Sequence, residues 1–147
     1  MVATSLSVHA APFDKLSART FHDIVQLRLD TFIVEQNCPY HELDGRDILS
    51  TTLHVWIEDG GVVVSYARLY PGDEDTTWIG RVVTAPSHRN RGLGARVMGH
   101  AIGLAGRPLR ISAQSQLGAW YAGFGFASCG PDFIEDGIPH TPMQLDL

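Results

Sequence analysis

The sequence predicts a mixed α/β domain in which helices cover both faces of a mixed sheet. Three observations lead to this prediction. Asp59-Gly60-Gly61 separates two apolar runs, which is typical of a β-hairpin. A third apolar run follows at once, so three strands are expected in series. After them, helical and extended patterns alternate, and such crossovers place helices on both sides of a sheet.

The first half of the chain is predicted to form a strand, a helix, a loop and three more strands. Phe21, Ile24, Val25 and Phe32 contribute to an apolar pattern with mostly helical spacing. Proline and glycine mark the loop that follows. In chain order, we expect a strand at 5–10, the helix at 18–36, the loop at 37–47, and strands at 52–58, 62–70 and 77–85.

The second half is predicted to alternate between helix and strand. Leu93, Val97 and Ala101 lie on one face of a helix that Gly106 and Pro108 should end. A short aromatic helix is expected to run into a strand, and the alternating tail to close the sheet. The predicted elements are a helix at 91–105, a strand at 109–114, the aromatic helix at 115–126 and a last strand at 140–147.

The composition predicts a single globular domain over residues 1–147. Of the 147 residues, 44% are apolar and 18% are charged, which is the balance of a chain that can bury a core. No apolar run reaches the ~18 residues that span a bilayer, and the first residues lack a signal-peptide pattern. We therefore expect a cytoplasmic protein without a membrane partner.

Charge and ligand spacing argue against nucleic acid and metal as partners. The net charge is −5 and the pI is near 5.7, whereas proteins that bind nucleic acid usually present a basic surface. An acidic surface instead favours an amine-bearing small molecule. The histidines show no HxxxH or HxH spacing. Cys38 and Cys129 form no CxxC pair and are expected to be free thiols, and nothing near Cys38 would activate it as a nucleophile.

Residues 89–94, Arg-Asn-Arg-Gly-Leu-Gly, lie between a predicted strand and a predicted helix, and this pattern can hold a phosphate. The free N–H groups and the dipole at a helix N-terminus bind anions, and Gly92 and Gly94 allow close backbone approach. Lys15 is the only lysine, so a P-loop is excluded, and no third glycine completes GxGxxG. The alternative is a glycine-rich helix start with solvated arginines.

The segments around this loop resemble the GNAT acyltransferases. The first, fourth and sixth residues of 89–94 match that family's (Q/R)xxGx(G/A) pyrophosphate loop, and 121–126 matches its YxxxGF element. Segments 32–47 and 135–140 are similar to the ElaA-like branch. The resemblance implies the GNAT fold, a central mixed and mostly antiparallel sheet with helices on both faces. It also implies that the phosphate belongs to coenzyme A.

The resemblance implies acetyl-CoA as the acyl donor, with no metal. Strand backbone would hydrogen-bond the pantetheine arm, and loop N–H groups would wrap the diphosphate. The implied coenzyme contacts are Val82, Val83 and Thr84 for the arm, Asn90, Arg91, Gly92, Leu93, Gly94 and Ala95 for the diphosphate, with Arg89 in support, and Gln114 near the thioester.

Direct transfer of the acetyl group to a primary amine of a small molecule or peptide is the expected reaction. Tyr121 occupies the family position of the acid that protonates the leaving thiolate, and its alternative role is that of a core tyrosine. A backbone N–H near Val83 is the expected oxyanion donor. Leu109 stands where some family members carry a glutamate base, so the candidates for the base are Glu35, His54 and His140.

Two other functions stay open at this point. Arg28, Phe32 and the acids Glu42, Asp44 and Asp47 are similar to a pattern in acyl-homoserine lactone synthases. A coenzyme-A-binding module without catalysis is the second alternative. These loop acids and Glu35 are interpreted either as contacts of a cationic acceptor or as a solvated face. A homodimer is an option that the resemblance leaves open.

Overall fold

The computed structural model describes residues 6–37, 40–105 and 108–146. Within these residues the chain forms eight strands and three α-helices. Their bounds are β1 Val8–Ala11, α1 Ala18–Arg28, β2 Leu53–Asp59, β3 Val62–Pro71, β4 Thr77–Thr84, α2 Leu93–Ala105, β5 Leu109–Gln114, α3 Gly118–Ala122, β6 Ala127–Ser128, β7 Phe133–Glu135 and β8 Ile138–Leu145.

The strands form one sheet in the order β1-β2-β3-β4-β5-β8-β6, with β7 paired to β8. Only the β4–β5 pair is parallel, so the sheet is mixed and mostly antiparallel, as predicted. Two cores lie on its faces. Val97 and Met98 of α2 pack in one core, and Ile24 and Leu27 of α1 pack in the other. Helices therefore cover both faces of the sheet.

The helix predicted at 18–36 divides into two kinds of turn. Ser17 caps α1 by accepting a hydrogen bond from the Thr20 N–H at 3.0 Å. After Arg28 the chain continues as a π-helical segment, Leu29–Glu35. The apolar pattern predicted one continuous helix and did not indicate where the hydrogen bonding changes. π-Helical turns are frequent at functional sites, and this one faces the cleft described below.

Tight turns explain two of the hairpins, β2–β3 and β7–β8, and the sequence predicted the first of them. Gly60 and Gly61 have φ of +61° and +82° between β2 and β3, which confirms the predicted turn. Asp136 and Gly137 have φ of +51° and +75° between β7 and β8, a hairpin that was missed despite its Asp-Gly signal. The tail therefore does not close the sheet as a final edge: β8 lies between β5 and β6.

The predicted end of the second long helix agrees with the structure where it can be compared. α2 begins at Leu93 and ends at Ala105, and Pro108 precedes β5. Gly106, the other predicted terminator, lies outside the described residues, as does Cys38.

Candidate active site

The sheet opens between β4 and β5. These parallel neighbours pair only at Thr77–Leu109 and Trp78–Arg110, and toward their carboxyl ends they separate. Backbone groups that a continuous sheet would pair are therefore available to another partner. A cavity of about 590 Å³ lies at this opening and is lined by residues of both strands. An extended ligand can enter there and hydrogen-bond the strands as an added strand would.

A bulge in β4 lies beside the opening. The β3–β4 register shifts between Tyr66 and Arg68, where β4 contains one residue more than β3. Arg81 has φ of +54°, a left-handed conformation that residues other than glycine rarely adopt. The bulge removes Arg81 and Val82 from the ladder with β3, and both line the cavity. Strained backbone of this kind is concentrated at functional sites.

A second cavity of about 340 Å³ lies at the N-terminus of α2. Asn90 and Gly92, with φ of +64° and +76°, turn the chain into the helix. A Cβ built on Gly92 meets no atom within 4 Å, so the space in front of this turn is open. The cavity gathers most of the predicted coenzyme contacts, namely Val82, Val83, Thr84, Arg89, Asn90, Gly92, Leu93, Gly94 and Ala95.

Two predicted coenzyme contacts lie elsewhere. Gln114, at the end of β5, lines the larger cavity, where its Nε2 donates to Gln36 Oε1 at 3.2 Å. Arg91 lines neither of these two cavities. Gln114 therefore lies on the wall of the larger cavity, and Arg91 lies on the wall of neither cavity.

Arg89 joins the loop to the π-helical segment. Its Nη1 and Nη2 donate to the two carboxylate oxygens of Glu35 at 2.8 and 2.7 Å, and its Nε donates to the Thr84 carbonyl at 3.0 Å. The hydrogen bonds from Arg89 lower the pKa of Glu35. A carboxylate held in this way is a weak proton acceptor, so the geometry disfavours Glu35 as the base.

Tyr121 lies where the two cavities meet. Its ring is 5% exposed and makes edge-on contacts with Trp120 and Phe126, at centroid distances of 4.9 and 6.2 Å. It nevertheless lines both cavities. Burial raises its pKa, so its hydroxyl keeps its proton at neutral pH. Tyr121 is therefore a core aromatic residue and a potential proton donor to the cleft.

His54 does not reach the cleft. It is fully buried, and its Nε2 lies 2.9 Å from the Asp47 carbonyl oxygen, to which it must donate. Its Nδ1 then accepts from the Tyr66 hydroxyl at 2.7 Å. Both ring nitrogens are occupied, and burial lowers the pKa of the ring. The prediction of His54 as a base is not supported by this geometry.

His140 lies on the wall of the larger cavity. It is the cross-strand partner of Gln114 in the β5–β8 pair. Its Nδ1 donates to the Ile138 carbonyl at 2.7 Å, and its ring stacks on Phe133 at 5.6 Å. With Nδ1 as the donor, Nε2 of the neutral ring carries the lone pair. Of the three base candidates, His140 has the geometry that suits the role.

A buried ion-pair network lies behind the bulge and connects it to α1. Arg28 is fully buried, and it donates from Nε to Glu42 Oε1 and from Nη1 to Asp47 Oδ1, each at 2.8 Å. Arg81 donates from Nε to the same Glu42 carboxylate at 2.9 Å. The strained bulge residue therefore shares a counterion with α1.

Arg68 of β3 completes the network. It donates to both carboxylate oxygens of Asp44, at 3.0 and 2.9 Å, and to Asp47 Oδ1 at 3.2 Å. Burial alone would raise the pKa of both carboxyls, but Arg68 with the Arg46 backbone N–H holds the pKa of Asp44 below its usual value, and Arg28 with Arg68 does the same for Asp47. Both carboxylates are therefore ionised and neutralised by arginine.

These contacts correct the interpretation of the loop acids. Glu42 and Asp47 are only 3% and 2% exposed, so they form neither a solvated face nor a contact for a cationic acceptor. The signal that could have found the network is the presence of Arg68 and Arg81 within otherwise apolar strands, because a buried arginine needs a carboxylate partner.

Replacing Glu42 by glutamine should lower the free energy of unfolding by about 2 kcal/mol, because the buried Arg28 and the partly exposed Arg81 lose the carboxylate charge that they share. The midpoint of urea unfolding would measure the loss. Glu35→Gln is the matched control, since it removes a similar but exposed pair and should cost less than about 1 kcal/mol. Equal losses in the two variants would show that burial of the Glu42 pair contributes nothing.

Within residues 6–37, 40–105 and 108–146, no helix has the length and apolar character of a membrane span. In the same residues, no group of three or more His, Cys, Asp or Glu side chains is placed to hold a metal ion.

A family model described as "Acetyltransferase (GNAT) domain" matches residues 18–147. A UPF0039 protein of Mycobacterium tuberculosis strain H37Rv is 43% identical over 133 residues, which cover 87% of this chain and 85% of the relative. Protein ElaA of Escherichia coli K12 is 33% identical over 140 residues, which cover 90% of this chain and 92% of ElaA.

Solved structures agree with the sequence relatives. An acyl-CoA N-acyltransferase from Pseudomonas aeruginosa superposes with a TM-score of 0.89 and 34% identity, covering 95% of this chain and 99% of the other. Escherichia coli ElaA superposes with a TM-score of 0.88 and 30% identity, with the same coverage. The open β4–β5 cleft, the loop at the start of α2 and these likenesses together show that the chain belongs to the GNAT acyltransferase family, in its ElaA-like branch.

Proposed function

We propose that this protein transfers an acetyl group from acetyl-CoA to a primary amine of a small molecule or peptide. The observation that carries the proposal is the position of Tyr121, which lines both the cavity at the N-terminus of α2 and the cavity between β4 and β5. One cavity suits a diphosphate, the other suits an extended arm and an acceptor, and a proton donor lies where they meet.

The coenzyme would bind across both cavities. N–H groups from Asn90 to Ala95 and the α2 dipole would bind the diphosphate, and Arg89 would brace this loop against Glu35. The arm would pair with the backbone of Val82–Thr84, beside Gln114. This arrangement places the thioester at the bulge, where a backbone N–H near Val83 can stabilise the oxyanion.

Direct transfer needs two proton movements. The nucleophile is the neutral form of the amine, which has already lost the proton of its ammonium form (reference pKa about 10.4) to solvent. Its nitrogen forms a bond to the carbonyl carbon while His140 Nε2, directly or through water, would accept the one proton that nitrogen must then lose, and the carbon–sulfur bond breaks. Tyr121 would give its proton to the departing thiolate and regain one from solvent. No covalent enzyme intermediate is required, and the products are an amide and free coenzyme A.

Thermal unfolding with acetyl-CoA, and separately with ATP and NAD, tests the donor site. At 100 times its dissociation constant a ligand stabilises the native state by about 2.7 kcal/mol, which shifts Tm by roughly 5–10 °C. We expect the shift with acetyl-CoA alone. If millimolar acetyl-CoA produces no shift in Tm, residues 89–94 do not bind the coenzyme and only form the start of α2.

Release of free thiol with a panel of amines tests the reaction. A coenzyme-A-binding module predicts the thermal shift without thiol release. An acyl-homoserine-lactone-synthase-like enzyme predicts thiol release with S-adenosylmethionine as the acceptor, since a CoA-dependent synthase of this fold binds S-adenosylmethionine together with isopentyl-CoA. Comparing S-adenosylmethionine with the amine panel therefore separates the proposal from the two alternatives.

A further inference from the structure

The larger cavity has walls of opposite charge on the two sides of the β4–β5 opening. On the β3–β4 side it is lined by three arginines and one carboxylate, and on the side of the β7–β8 hairpin by carboxylates. The residues concerned are Arg46, Arg68 and Arg81 with Asp44, Tyr40 and Tyr70 on the first side, and Glu135, Asp136 and His140 on the second. This arrangement suits a ligand that carries charges of both signs.

The arginine side keeps a positive charge after all its ion pairs are made. The network and the loop beside it contain four guanidinium groups and three carboxylates, so one positive charge is left over. The members are Arg28, Arg46, Arg68 and Arg81 against Glu42, Asp44 and Asp47. A single excess charge matches a carboxylate better than a doubly charged phosphate.

Two of these arginines can offer donors to a ligand. The side chains of Arg46 and Arg81 are 50% and 22% exposed, whereas that of Arg68 is buried. Arg46 Nη1 and Arg81 Nη2 lie 3.2 and 3.7 Å from the same oxygen, Asp44 Oδ2, so the two groups are close together. Arg81 donates to Glu42 from Nε and Nη2, and Arg46 donates to Asp44 from Nη1, so each guanidinium is held on one side by a carboxylate residue.

Stacking fixes the planes of both groups. The Arg46 guanidinium lies 4.8 Å from the Tyr70 ring centroid, and that of Arg81 lies 5.4 Å from that of Tyr40. A guanidinium held by an aromatic ring and one ion pair presents its other N–H groups in a fixed direction, which favours recognition of a planar carboxylate.

We propose that the acceptor is an amine that also carries a carboxylate, and that Arg46 and Arg81 bind this carboxylate. The amine would lie on the side of the β7–β8 hairpin, near His140 and the carboxylate of Glu135. The inference rests on the proposed function and names the substrate class of the same site. Arg46 and Arg81 then select the acceptor, and Tyr40 and Tyr70 hold their guanidinium groups in place.

Matched pairs of acceptors test this inference. Each ω-amino acid (β-alanine, 4-aminobutyrate and 6-aminohexanoate) is compared with its carboxamide, with acetyl-CoA as donor and thiol release as the readout. We expect kcat/KM to be at least ~10-fold higher for the carboxylate in the pair whose length fits, as charge-assisted hydrogen bonds imply. In Arg46→Gln the ratio between carboxylate and carboxamide should fall toward one.

Arg19→Gln is the control, because Arg19 is an exposed residue of α1 that lines neither cavity and its loss changes the net charge equally. This variant should keep the preference. Turnover of both members of every pair without preference would overturn the inference and leave the proposed function intact.

If none of the amines supports thiol release, the proposed function itself is contradicted. Titration calorimetry with hexanoate and hexanamide then tests, without any turnover, whether Arg46 and Arg81 bind a carboxylate. Binding of hexanoate alone, lost in Arg46→Gln, supports the subsite, and equal or no binding overturns it.

Discussion

A valine in place of Gly92 is expected to raise the dissociation constant for acetyl-CoA about 1,000-fold or more, a loss of ~4 kcal/mol. The space in front of Gly92 holds no protein atom within 4 Å, and it is where a diphosphate would meet the N–H groups of α2. A valine side chain would fill that space. Titration calorimetry with acetyl-CoA measures the loss directly.

The valine also strains the backbone, because Gly92 has φ of +76°. Gly61→Val is the matched control, since Gly61 has φ of +82°, also has no atom within 4 Å of a built Cβ, and lies in the β2–β3 turn away from both cavities. Both variants should lose similar stability, and only Gly92→Val should lose coenzyme affinity. Wild-type affinity for acetyl-CoA in a folded Gly92→Val protein would contradict the assignment of residues 89–94 as the diphosphate site.

Replacing Tyr121 by phenylalanine is expected to lower the rate of acetyl transfer about 100-fold to 1,000-fold. The change removes only the hydroxyl, and among the described residues no hydrogen bond is made by it, so packing against Trp120 and Phe126 should persist. Coenzyme affinity should stay within about twofold. Single-turnover measurement at saturating acetyl-CoA isolates the chemical step from product release.

The comparison of rate with affinity distinguishes a catalytic tyrosine from a core one. A structural role predicts lower Tm and weaker coenzyme binding with an unchanged single-turnover rate. A proton donor predicts the opposite combination. An unchanged rate in a stable Tyr121→Phe protein would exclude Tyr121 as the acid and leave the leaving thiolate to be protonated by solvent.

Local patterns account for what the sequence predicted well. The Asp-Gly-Gly turn, the alternation along the strands and the glycines before α2 each depend on residues within a few positions of one another. The same kind of signal, Asp136-Gly137, marks the second hairpin and was overlooked rather than absent. Most residues of the cavity at the N-terminus of α2 could be grouped from the sequence for this reason, since they lie in two adjacent segments, 82–84 and 88–95.

The acceptor side depends on contacts between distant residues. Glu42 lies 39 residues from Arg81 and 14 from Arg28, and no spacing in the sequence indicates that one carboxylate serves both. His54 lies on a well-predicted strand, but only the packed structure shows that Asp47 and Tyr66 occupy its ring nitrogens. Neither interpretation of the loop acids holds for Glu42 and Asp47, because arginines of α1, β3 and β4, distant in sequence, bury and neutralise them.

The sequence by itself determined most of the order of the elements and the glycine turn before α2, because short-range turn chemistry and apolar periodicity encode them. The motifs at 89–94 and 121–126 indicated the family by resemblance. Only the tertiary structure decided which candidate base reaches the cleft, which carboxylates are already neutralised, and where a positive charge is left over. The physical reason is that burial and ion pairing depend on which distant side chains the sheet brings within about 4 Å of one another, the range over which charges in a protein interact strongly.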